Sequence, residues 1–115
     1  MTPHLSKSTA AGGFVFLSGQ LAMGDDGALV GETVADQTKR VLENIERVLN
    51  SVGMGLFQVV KTTVWITRAE DFAAFNAAYA EVFGAHKPAR STVVAQLAIS
   101  GALVEIEAVA YRGSD

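Results

Sequence analysis

Only two segments of this chain repeat apolar residues at helical spacing; the other apolar stretches are short runs of strand type. In the first, from Thr33 to Val52, the residues Val34, Val41, Leu42, Ile45, Val48, Leu49 and Val52 fall on one helical face. Asp36, Lys39, Arg40, Glu43, Glu46 and Arg47 lie between them. Thr33 is placed to act as N-cap, and Gly53 stands where a helix can end in the left-handed conformation. The second segment is DFAAFNAAYAEVFG (71–84), with Phe72, Phe75, Tyr79, Val82 and Phe83 in period and Gly84 closing it before Pro88. Two helices cannot cover both faces of a sheet of four or five strands. The expected class is therefore α+β, with both helices on one face and the other face left for something else.

The strand segments are FVFLSGQLA (14–22), QVVKTTVWIT (58–67), STVVAQLA (91–98) and ALVEIEAVAYR (102–112). The first is apolar on both faces, which implies burial on both sides, and DDG (25–27) after it signals a turn. The second is rich in β-branched residues and holds the only Trp, as a central strand would. The last two flank a short ISG connection, most simply an antiparallel hairpin. In the final strand Val104, Ile106, Ala108 and Ala110 suit packing beneath helices. Leu103, Glu105, Glu107, Val109 and Tyr111 alternate with them and suit an interface enclosing polar pockets.

A chain of 115 residues fits one domain, residues 1–115, with a core of its own. Half of its residues are hydrophobic and only 18% charged, so part of its surface is expected to lie under another subunit. The net charge of −3 and the lack of any Lys/Arg run argue against nucleic acid as a partner. No apolar run approaches a membrane span and no signal-like start is present, so no membrane association and a cytoplasmic location are expected. With no cysteine, disulfides, thiolate metal sites and a Cys nucleophile are excluded. His4 and His86 lack the spacing of a metal pair, so no metal is expected.

The residue hardest to place is Arg90, in HKPARSTVVAQL (86–97). A guanidinium at the mouth of an apolar strand either snorkels to water or a rim ion pair, or waits for an anion. Glu105 fits a solvated strand face, and Ser18-Gly19 fits a bulge or strand end. Asn76 fits an exposed helix position, and Tyr79 the core. If Arg90, Glu105, Ser18, Gly19 and Thr92 converged across a symmetric interface, they could hold a small carboxylate and direct a water at it.

Taken in order, SGQLA (18–22), QTKRVLENIERVLNSVG (37–53), VVKTTVWIT (59–67), DFAAFNAAYAEVF (71–83), PARSTV (88–93) and VEIEAVAY (104–111) resemble the RidA family, also called YjgF. PARS followed by VEIEA is the specific part; SGQ or KTT alone would say little. The resemblance implies a chorismate-mutase-like sheet with two helices on one face, assembled as a homotrimer with clefts between subunits. It also implies hydrolysis of reactive enamines and imines, such as 2-aminoacrylate and 2-iminopropanoate, to a 2-keto acid and ammonia without metal or organic cofactor. By position, Arg90 matches the family's carboxylate-binding arginine and Glu105 its water-positioning glutamate. Ser18, Gly19 and Asn76 match its pocket, and Thr92 stands where many members have Cys. The segment PHLSKS (3–8) departs from the family, with Leu5 in place of a pocket tyrosine and His4 beside it. That departure leaves open a deaminase specific to aromatic or pyrimidine catabolism. A non-catalytic ligand-binding or chaperone-like trimer is the alternative outside enzymology.

Overall fold

In the computed structural model, which describes residues 2–113, five strands and two α-helices follow one another. They are β1 (Ser8–Ala11), β2 (Phe14–Gln20), α1 (Val34–Ser51), β3 (Val59–Ile66), α2 (Phe72–Phe83), β4 (Ala89–Val94) and β5 (Val104–Tyr111). Helix α1 starts where its cap predicts: the Asp36 backbone N–H donates to Thr33 Oγ1 at 3.1 Å. It ends in a Schellman arrangement, with Gly53 N–H on the Asn50 carbonyl and Met54 N–H on that of Leu49. This reversal needs a positive φ, supplied by Gly53 at 77°.

The strands form one mixed sheet in the order β1-β2-β5-β3-β4, in which only β3 and β4 run parallel. Both helices lie on one face: Val41, Leu42, Ile45 and Leu49 of α1 and Phe75 of α2 share a core with Val15, Val64, Ile66, Val104 and Ile106 of the sheet. The alternation expected of β5 holds, with Val104, Ile106, Ala108 and Ala110 buried.

Two sequence expectations are corrected. The segments around ISG do not form a hairpin: β4 pairs with β3, β5 pairs with β2 and β3, and β3 therefore lies between them. The physical reason is α2, whose crossover from β3 delivers β4 parallel to β3, on the side away from β5. The hairpin instead lies at the start of the chain, where β1 and β2 pair through Gly12-Gly13, both at positive φ. Finally, β2 is not buried on both sides. Val15 and Leu17 are covered, but Phe14 and Phe16 remain exposed on the face without helices.

Candidate active site

The sheet register decides where each candidate points. Arg90 is the β4 partner of Thr62, which is fully buried between sheet and helices, so its side chain lies on the helix-covered side. There the guanidinium carbon sits over three rings of α2, at 4.8 Å from the Tyr79 centroid, 5.2 Å from Phe75 and 5.8 Å from Phe72. Their spacing of three and four residues is what brings the rings to one face. Such cation–π contacts contribute roughly 0.5–2 kcal/mol each and leave the edge of the guanidinium fork free to bind. Among the described residues no carboxylate forms an ion pair with Arg90.

The shelf under Arg90 is itself anchored. The Tyr79 hydroxyl is 2.7 Å from Thr62 Oγ1 in a buried hydrogen bond. Burial pushes the Tyr79 pKa up, against smaller opposing pulls from Thr62 and Arg90, so the phenol stays neutral. Arg90 and Asn76 wall the same groove, between the end of α2 and the start of β4. Thr92 lies two residues along β4 from Arg90, on the same side of the strand.

A second group of candidates occupies the opposite face. Between the pairs Leu17–Ala108 and Gln20–Ile106 the register slips, making Ser18-Gly19 a β-bulge. Ser18 is tied to the N-terminal segment: its N–H donates to the Lys7 carbonyl at 3.0 Å, and its hydroxyl to the Ser6 carbonyl at 2.6 Å. Glu105 lies between the buried Val104 and Ile106, so its carboxylate faces the open side. It rests directly against Gly19, in the space a Cβ would take. Burial, and secondarily repulsion from Glu107, push its pKa above the usual carboxylate range. Leu5, next to Ser6, is 60% exposed.

Within one chain the structure brings together Arg90, Asn76 and Thr92 on one side, and Ser18, Gly19 and Glu105 on the other. It does not join the two sets, since Arg90 and Glu105 are on opposite faces with β3 between their strands. Sequence reasoning missed Thr62 as the anchor of Tyr79, because a Thr inside a β-branched run carries no local mark. It also missed His86 and Lys87 as walls of the Arg90 groove. Their adjacency to PARS was the available signal.

Comparison with known proteins agrees over nearly the whole chain. The family described as Endoribonuclease L-PSP matches residues 2–112. A RutC family protein of Pyrococcus horikoshii is 42% identical over 108 residues, covering 93% of this chain and 86% of that protein. The chloroplastic Reactive Intermediate Deaminase A of Arabidopsis thaliana is 40% identical over 106 residues, covering 91% of this chain and 57% of that one. A crystal structure of a Rid-family protein of unknown function from Yersinia pestis superposes with a TM-score of 0.90 at 37% identity, covering 96% and 90% of the two chains. With matching motifs, sheet and overall geometry, the chain belongs to the YjgF/RidA family, the one described as Endoribonuclease L-PSP.

Proposed function

We propose that this protein hydrolyses reactive 2-enamine and 2-imine acids, of the kind of 2-aminoacrylate and 2-iminopropanoate, to 2-keto acids and ammonia. The observation that carries the reading is Arg90, a guanidinium held on an aromatic shelf beside a groove without an acid partner among the described residues. Such a group is complementary to a substrate carboxylate. Deaminase activity is further supported by the name of the plant relative at 40% identity.

The reaction needs little more than orientation and proton transfer. Water oxygen bonds to C2 of the imine as the C=N π pair moves to nitrogen; loss of ammonia from the resulting carbinolamine leaves C2=O. Glu105, whose pKa is raised by burial, takes a proton from the water and gives it to the imine nitrogen, then carries the carbinolamine hydroxyl proton to the same nitrogen, which leaves as ammonia. Its contact with Gly19 fixes where that carboxylate sits. Because Arg90 and Glu105 occupy opposite faces, the working site lies where Arg90 of one copy meets the open face of the next, in a homotrimer. These imines also hydrolyse in free water, so positioning supplies much of the needed acceleration.

The test generates 2-iminopropanoate with an amino-acid oxidase and traps the residual imine with semicarbazide. Wild type is expected to deplete the imine faster than buffer, and Arg90→Ala to match buffer. Equal rates for wild type and Arg90→Ala, or no acceleration by wild type, would refute the proposal.

Leu5 favours a second reading, a deaminase tuned to a larger enamine. An exposed aliphatic side chain stands where the family's pocket has a tyrosine, leaving that wall without a ring. A panel of imines separates the readings by preference for a ring-cleavage product. Ligand protection of the fold without any turnover would instead indicate a binding protein.

A further inference from the structure

Arg90 is not the only cation in its groove. The cleft, of about 460 Å³, is walled by Asn76, Tyr79, Phe83, His86, Lys87 and Arg90 among others, and by no Asp or Glu. The one carboxylate of α2, Glu81, pairs with Lys39 of α1 at 3.4 Å. The backbone at Lys87 is fixed by its neighbours. His86 Nε2 donates to the Val59 carbonyl at 2.7 Å, and its ring packs 6.1 Å from Phe83. On the other side Pro88 restricts Lys87 to extended backbone.

One guanidinium is enough for one carboxylate. Two like charges sharing a cleft repel each other, and an anion between them removes that repulsion. The walls supplied by Tyr79 and Phe83 suit the methylenes of a short chain joining two acid groups. We infer that the groove takes a second carboxylate, so that the preferred substrate is a dicarboxylic 2-imino acid. Its 2-carboxylate sits on Arg90, and its distal carboxylate is bound by Lys87 and Asn76. This rests on the imine-hydrolysis reading for its chemistry, but the binding site can be tested without turnover. Were Lys87 only a charge opposing the C-terminal end of α2, replacing it would alter thermal stability and leave the choice of acid unchanged.

The experiment has two arms. In the first, calorimetry measures binding of 2-oxoglutarate and 2-oxobutanoate to wild type and to Lys87→Met, a change at an exposed side chain. Wild type is expected to bind the dicarboxylate at least about tenfold more tightly, the scale of one charge-assisted hydrogen bond. Lys87→Met is expected to lose that preference while keeping its affinity for 2-oxobutanoate. Equal affinities in wild type, or a preference surviving Lys87→Met, overturns the inference. In the second arm the trapping assay compares 2-iminoglutarate with 2-iminopropanoate. Acceleration of both without preference overturns the dicarboxylate inference and leaves the deaminase proposal standing. Lys87-dependent binding of 2-oxoglutarate with neither imine accelerated upholds the site and overturns the deaminase proposal.

Discussion

Arg90 is accommodated beside a hydrophobic core because the faces of three aromatic rings stand in for water on one side of the guanidinium plane. Gly19 plays a matching part for Glu105, since a side chain at this position would occupy the carboxylate's place. Gly19→Ala is therefore expected to leave the melting temperature nearly unchanged, because Glu105 can swing aside, and to lower kcat for imine hydrolysis about tenfold or more. Thermal denaturation and the trapping assay on one preparation check both halves.

Glu105 also makes stability depend on pH. Its folded pKa lies above that of a free glutamate, through burial first and Glu107 second. The folded chain thus binds this proton more readily than the unfolded chain. The associated stability is fully present below the unfolded pKa and is lost as pH rises through the folded one. Glu105→Gln cannot ionise, so its stability relative to wild type is expected to climb over that window in a urea denaturation series. Sequence alone exposed the awkwardness of Arg90, through the cost of desolvating it, and the alternation of the last strand set Glu105 on the face opposite Val104 and Ile106. It could not reveal that they face opposite ways, because that depends on which strand lies next to β4.

At the scale of elements, α1 does more than cover the sheet. Gln37, only 2% exposed, donates through Nε2 to the carbonyls of Gly31 and Gly101, and its Oε1 accepts from Leu103 N–H. It fastens the connection leading into β5, and so the start of the strand that carries Glu105. Gln37→Ala leaves these backbone groups unpaired in a covered site and is expected to destabilise the fold by roughly 1–3 kcal/mol; the urea midpoint measures it. The limits of α1 were legible because Thr33 and Gly53 are local signals. The misplaced hairpin shows the contrary case. Around ISG the residues permit a tight turn, but the placement of β4 was settled by α2, through the handed crossover from β3. The Gly12-Gly13 turn was an overlooked local signal, masked by the weak strand character of Ser8–Ala11 before it.

For the whole molecule, the sheet face without helices carries Phe14, Phe16, Val93 and Tyr111 in the open, together with Glu105 and Glu107. The imbalance between two helices and five strands foretold this face, and the high apolar fraction foretold that it would be greasy. Neither fixed which residues of that face would meet a second copy, since a single chain holds no record of its symmetry. The opposed placement of Arg90 and Glu105 has a consequence in the language of complementation. Arg90→Ala and Glu105→Gln subunits, each inactive alone, are expected to recover activity when unfolded together and co-refolded. In the homotrimer proposed above, assembled from randomly mixed subunits, roughly a quarter of the clefts would receive an intact arginine from one parent and an intact glutamate from the other. Two broken proteins would thus mend one another, and recovery of about that share of wild-type rate in the trapping assay would reveal the shared cleft without a structure of the assembly.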